Sequence, residues 1–251
     1  MMTNYTAKIA LQSRFGIVSF LIGKFFRFGF FIFFLVILMS KVKTFAGYIF
    51  WEVLLMYATL NFIDTATQLL FREVYRFRTY VVKGFFDYIL VKPMSPLFRS
   101  LLGGSDVYDT PVLLMSVGLV IYAGAHVGYV GVAQVLWYIL LLINACFIVL
   151  AVHIFVLSVG ITTTAVDNAI MMYRDTIQMG RVPISIYANP LRFFITFVIP
   201  VGIMVTYPVN AFIGSLSLNY LLIAFCVGAV FFCCSLATWN HALKQYASAS
   251  S

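Results

Sequence analysis

Charged residues are scarce in this sequence. Asp, Glu, Lys and Arg make up 10% of its 251 residues, against 63% hydrophobic ones, too little charge to cover a water-soluble globule of that length. An all-α integral membrane protein is expected instead. At about 20 apolar residues per membrane helix, the chain has room for roughly six spans and no separate soluble domain, so 1–251 reads as a single transmembrane domain. Histidine is almost missing too: His126, His153 and His241 stand far apart. Neither His-Glu-x-x-His, a paired Asp-rich motif nor Gly-x-Ser-x-Gly occurs, so no metal or nucleophile chemistry is expected. A Gly-x-x-x-x-Gly-Lys-[Ser/Thr] phosphate loop is absent, which excludes ATP hydrolysis by this chain alone. Cys146, Cys226, Cys233 and Cys234 fall in apolar runs without Cys-x-x-Cys or Cys/His spacing. They read as buried small apolar residues rather than a disulfide or metal set. The opening MMTNYTAKIALQSRFGIVSF lacks the basic region, apolar core and cleavage site of a signal peptide, so the first apolar segment is expected to stay.

What the chain does contain is a series of apolar runs separated by charge. Six spans are expected, at 20–39, 48–71, 107–125, 132–161, 191–207 and 220–239. Lys24 and Arg27 lie in the opening turns of the first, where long side chains snorkel to headgroups. With a cytoplasmic N-terminus, fourteen of the Lys and Arg residues fall on inside segments and only Lys41 and Lys43 outside. Both termini are therefore expected in the cytoplasm. The net charge of +8 then follows from this asymmetry and from anionic membrane lipid, with no nucleic-acid partner needed. Lys8, Gln12, Gly16, Ser19, Gly23 and Arg27 recur at helical spacing, a polar stripe that predicts an amphipathic interfacial helix over 1–27; the alternative is a longer, tilted first span.

The largest loop, 72–106, carries Arg72, Arg76, Arg78, Lys83, Lys92 and Arg99, with Glu73, Asp87 and Asp106 as acidic counterweight. Pro93 disfavours helical geometry at Lys92, and Pro96 does so at Ser95. Phe85, Tyr88, Ile89 and Val91 are apolar enough to dock on something. The spacing predicts a short amphipathic helix, a rigid turn and a second approach to the membrane through 96–102, far longer than reconnecting two helices requires. The other reading is a solvated basic loop pressed on lipid.

The run GFFDYILVKPMSPLFRSL, residues 84–101, resembles the Gly, hydrophobic, Asp, hydrophobic, Leu, Lys-Pro, Ser-Pro-Leu signature between the second and third spans of ABC-2 family permeases. These are the membrane subunits of type 2 ABC exporters, and the likeness is to a branch of small six-span bacterial permeases. YANPLRFFITFVIPVGIMVTYPVNAFIG, 187–214, is similar to that branch's Tyr-x-x-Pro, Ile-Pro and Tyr-Pro pattern, and WNHALKQYASAS to its closing pattern. One stretch departs: VDNAIMMYRDTIQMGRVP, 166–183, stands where relatives carry an aromatic, largely apolar segment, which leaves the start of the fifth span open.

The resemblance implies a coupling helix seated in a separate nucleotide-binding ATPase subunit. That role falls on Gly84, Phe85, Asp87, Tyr88, Leu90, Lys92, Pro93, Ser95, Pro96 and Leu97. It implies a connecting helix over 8–27, a re-entrant outer segment at 207–219, and a second permease subunit, identical or paralogous. ATP and Mg belong to the ATPase, with no cofactor on this chain. The implied place is the bacterial cytoplasmic membrane, and the implied activity is export of an amphipathic lipid, glycan-lipid, peptide or drug.

Polar groups inside spans are costly and point to the bundle interior, a partner or water. Asn61 and Asp64 share a helix face; either they line a transport path, or Asp64 pairs with Arg72 or Arg76. Pro200, Tyr207 and Pro208 break helical continuity on the outer side, as at a cavity wall, or Pro200 is an ordinary kink. Glu52 lies near headgroups, Asp109 near the start of the third span, and His153 reads as a hydrogen-bonded interior residue. Two other classes stay open. A secondary transporter would be expected to show internal repeats, and none is evident. A lipid-modifying membrane enzyme would need a reactive cluster, and Asp167, Arg174 and Asp175 look like an inner-face salt-bridge set.

Overall fold

The computed structural model describes residues 14–104, 107–163 and 165–246. Lys8, Gln12 and Asp106 lie outside the described residues. The elements that the described residues form are all helical, with no strand among them. In chain order they are α1 (Arg14–Lys41), α2 (Phe50–Leu70), a 3-10 turn (Arg72–Arg76), α3 (Phe77–Val82), α4 (Phe85–Leu90), α5 (Pro96–Leu102), α6 (Thr110–His126) and α7 (Val132–Thr163). Then follow α8 (Val166–Ile177), 3-10 turns at Gln178–Arg181 and Ile184–Ile186, α9 (Asn189–Phe193), α10 (Tyr207–Phe212) and α11 (Leu218–Gln245). Five helical stretches among the described residues, Val18–Lys41, Phe50–Leu70, Val107–His126, Val132–Thr163 and Leu218–Gln245, are long and apolar enough to cross a membrane.

From Arg14 onward the N-terminal stripe and the first span are one unbroken helix, of which Val18–Lys41 is long and apolar enough to cross a membrane. No proline or left-handed residue interrupts it. In α1 11% of the apolar window is buried, in α2 72%; α2 is therefore the central helix and α1 a peripheral one whose Phe26, Phe30 and Phe33 face outward. Helix α2 lies along α6, and α7 along α11. Cys226, Cys233 and Cys234 are exposed on α11 and Cys146 is half-buried, so the cysteines are not core residues; an apolar thiol needs no burial where its surroundings are hydrocarbon.

The bundle has two ends. The 72–104 loop, the end of α7 and the end of α11 share one, here the loop side, where Phe77 and Phe86 meet Trp239. The far side holds the Phe45–Tyr48 turn between α1 and α2.

The fifth crossing is not where apolarity alone put it. Val166 meets Gly160 beside Phe77 on the loop side. Further along, a Cβ on Gly180 would lie 3.6 Å from Leu60, midway along α2, and Ser185 donates to the Ala46 carbonyl at 3.1 Å on the far side. The polar stretch 166–186 therefore climbs from the loop side to the far side. The apolar stretch assigned to span 191–207 instead begins and ends on the far side. Arg192 donates to the carbonyls of Ser185 and Tyr187, and Tyr48 donates to Asn210 at 3.0 Å. Between these ends Val201 and Val205 reach in to Gly180.

The segment is a bent pair, Asn189–Val198 and Gly202–Phe212, with 76° between its limbs. Each limb is about 15 Å long at ~1.5 Å per residue, half of a hydrocarbon core of about 30 Å. Pro200 has no N–H, and Ile199 before it is extended (φ −119°, ψ 91°). The helix opens into a wide turn on either side, Ile199 N–H reaching back to the Phe194 carbonyl at 3.0 Å, the i→i+5 pattern of a π-bulge. The re-entrant element thus starts earlier than 207–219, and Arg192, counted among the inside cations, lies on the far side.

Candidate functional site

The loop is built as two opposed faces. Gly84 turns the chain in the left-handed region (φ 70°), where only glycine is unstrained, and α4 starts immediately after it. Pro93 follows the end of α4, but Pro96 does more than stop a helix. It occupies the first turn of α5, and the N–H of Phe98 donates to the Ser95 hydroxyl at 3.4 Å, a serine N-cap followed by proline. On the inward face Phe86 and Ile89 are buried. Phe86 meets Phe77 (5.1 Å, 81°) and Tyr246 (5.1 Å, 89°) edge-on, and the cluster takes in Leu157, Ile161 and Trp239, with Leu90 and Leu97 packed at its margin.

A buried carboxylate clamps the same face. Glu73, 2% exposed, accepts from Arg99 at 2.8 Å, Tyr80 at 2.7 Å and Arg76 at 3.4 Å. It ties the end of α2 to α5. Burial, then Glu73, raise the Tyr80 phenol, and burial with the nearby Asp87 carboxylate pushes Tyr246 up to about 12.

The outward face is apolar and open. Phe85, Tyr88, Val91, Met94 and Phe98 are exposed, Tyr88 at 67% and Val91 at 81%, with Lys92, Pro93 and Ser95 beside them. Among the residues expected to couple, Asp87, Leu90, Pro96 and Leu97 are only partly exposed.

A second group of polar side chains lies within the bundle. Lys24 binds Asp109, which is buried, and also Gln68 at 3.3 Å. Arg27 of α1 stands 3.9 Å from Asp64, while Arg76 meets Glu73. Asn61 donates to its own helix at Tyr57 O, 2.7 Å. Lys24, Arg27, Asn61, Asp64, Gln68 and Arg174 surround a cavity of about 30 Å³, enough for a water molecule. Arg181 sits over the Phe31 ring at 5.6 Å.

The other polar residues are structural. Glu52 accepts from the Ile49 N–H at 2.8 Å and so caps α2, while His153 bonds the Val149 carbonyl at 2.8 Å. Arg78 meets Asp167 at 3.4 Å, both half exposed, an ion pair of little energetic weight.

On the far side the re-entrant limbs border an open cavity of about 540 Å³ lined by Tyr48, Arg192, Thr196, Tyr207, Asn210 and Tyr220. Tyr207 is on its wall, Pro208 is buried within α10, and Pro200 is buried at the tip. These three do not join Asn61 and Asp64 in one pocket; only the tip approaches that level, through Gly180 and Leu60.

Residues 25–250 match the family described as "ABC-2 family transporter protein". The chain belongs to that family. No curated protein and no solved structure matches it. As an ABC-2 transporter it is a multi-pass membrane permease, a transport component rather than a catalyst, and permeases of the family work with ATP-binding subunits.

Sequence reasoning missed two features of this ABC-2 permease. Glu73 read only as loop acidity, although three donors converge on it. Arg174, Gln178 and Arg181 recur at i, i+4 and i+7, the signal of one helix face, and that spacing marks the polar stretch as a face of the bundle rather than a surface loop.

Proposed function

We propose that this permease is the membrane subunit of an exporter driven by a separate ATPase, with the 84–102 loop as its coupling element and the loop side as the cytoplasmic one. The reading rests above all on the two-faced loop. One face is fixed to the ends of α7 and α11 by Phe86 and Ile89, and to the end of α2 by the Glu73–Arg99 pair. The other presents Phe85, Tyr88, Val91, Met94 and Phe98 away from the bundle. An exposed apolar patch marks a contact with a protein or with lipid, and the ATP-binding subunits with which the family works favour the protein. Anchoring on one face lets a push from a docked ATPase move α7 and α11 rather than bend the loop.

The positive residues of this side, Arg72 to Arg99, favour the cytoplasm by the positive-inside rule. A bacterial cytoplasmic membrane, a second permease subunit and an amphipathic cargo complete the reading, with ATP and Mg held by the ATPase. Asn61, Asp64 and the tip at Pro200 line the path by which the bundle opens.

The test is reconstitution with an ATP-binding subunit that co-purifies with this chain. Hydrolysis stimulated by the permease is expected, and Tyr88→Ala with Val91→Ala should lower the stimulation about tenfold, as loss of two central interface anchors does, with insertion and melting unchanged. Undiminished stimulation in that double variant would overturn the coupling assignment.

A further inference from the structure

Three polar stripes meet at membrane depth. Lys24 and Arg27 are one turn apart on α1; Asn61, Asp64 and Gln68 share a face of α2; Arg174, Gln178 and Arg181 share a face of the fifth crossing. Six of these, Asp64 and Arg174 among them, surround one small cavity, and Arg181 sits over the ring of Phe31 on α1, one turn from Arg27. Measured from the loop-side end of α2, Asp64 lies about 9 Å in and Tyr57 about 20 Å in. The cations thus form a ramp from the loop side to mid-membrane.

Their charges do not balance. Among the described residues four cations, Lys24, Arg27, Arg174 and Arg181, face two carboxylates, Asp64 and Asp109. Asp109 is taken by Lys24, and Asp64 meets Arg27 only at 3.9 Å, outside hydrogen-bond range. Ionised groups at this depth are stable only when paired or hydrated. Arg27 keeps a side chain that is 54% exposed, so the ramp is open from one side. Guanidinium forks match the geometry of phosphate and carboxylate oxygens.

Resting on the permease reading above, we propose that the Arg27–Arg174–Arg181 ramp binds the anionic headgroup of the transported molecule, an amphiphile bearing phosphate or carboxylate. Asp64 acts as the built-in counter-ion that the headgroup displaces. It holds the arginines in place when the site is empty, and its loose contact makes the exchange inexpensive.

The experiment is equilibrium binding to the full chain in an uncharged detergent. The probes are a radiolabelled short-chain phosphatidic acid, phosphatidylcholine of the same chain length, and inorganic phosphate. Phosphatidic acid is expected to bind about tenfold more tightly than phosphatidylcholine, and Arg174→Gln or Arg181→Gln to remove about that factor, the worth of one charged hydrogen bond. Lys83→Gln, which removes an exposed loop-side charge outside the ramp, should leave binding unchanged. Asp64→Asn should tighten binding severalfold, a gain that misfolding cannot produce.

Equal affinity for the two lipids, an equal loss in Lys83→Gln, or no gain in Asp64→Asn would overturn the proposal. Displacement of the lipid by an equal concentration of inorganic phosphate would overturn the amphiphile and leave a free-anion site. No ATPase is present in this measurement, so its outcome and that of the coupling test are independent.

Discussion

A proline breaks helical continuity in the loop and another in the re-entrant hairpin of this permease, and the two breaks meet different surroundings. On the loop side, Pro93 is exposed between α4 and α5. The backbone groups it frees can bond to water, and the next helix restarts on a serine cap. At the tip of the hairpin that enters from the far side Pro200 is buried, and every residue from 201 to 209 is buried after it. No water is available there, and the freed groups must find partners within the protein. The wide turns on both sides of Pro200 are that solution. One break shapes a surface, the other an interior, although the sequence uses the same residue for both.

The comparison implies that the loop is held by few strong contacts and the re-entrant hairpin by many weak ones. Glu73→Ala tests the first half and should have the largest effect. Removing the carboxylate leaves the Arg99 guanidinium, 17% exposed, without its nearest acceptor. Breaking one partner out of such a buried pair costs about 3 kcal/mol. Thermal melting in detergent would register the loss, and limited proteolysis near Lys92 should accelerate as α5 comes away. Melting unchanged within error would mean that the apolar cluster around Phe86 alone fixes the loop.

The second half is tested by Pro200→Ala. An alanine there adds an N–H at a buried bend, where the extended Ile199 (φ −119°, ψ 91°) turns it out of the helical ladder. A buried donor without an acceptor costs about 2 kcal/mol, again visible in the melting curve. A stabilised variant would show that the hairpin straightens into an ordinary helix and that the bend is not required by packing.

The two elements also differ in how far the sequence announced them. The loop was legible because its signals are local: prolines three residues apart, a glycine before an apolar run, and charges in a setting otherwise poor in them. The crossing at 166–186 was not, because hydropathy reports composition and not path. Its Asp167, Arg174, Asp175 and Arg181 look like loop chemistry until three polar helix faces are seen to meet. The hairpin that replaced it looks like a span because both limbs are apolar, yet neither is long enough to cross. Likewise the contact between Arg27 and Asp64 joins residues on helices with no sequence signal for their pairing. The family resemblance carried the class correctly and did not carry these long-range contacts.

Pro93→Ala is the smallest effect and the sharpest control on the comparison. Its new N–H is met by water, so the folded state loses no hydrogen bond. What changes is the unfolded chain, which gains conformational freedom, at a cost of about 0.5 kcal/mol. The melting shift should therefore be a fraction of that in Pro200→Ala, although the chemical change is identical. Coupling is expected to suffer more than stability, since a turn that bends absorbs the motion it should transmit, and ATPase stimulation by the permease is the measurement that separates the two. If the two alanine variants shift melting equally, then both prolines sit in the same kind of environment and the distinction between a hydrated handle and a buried hairpin fails.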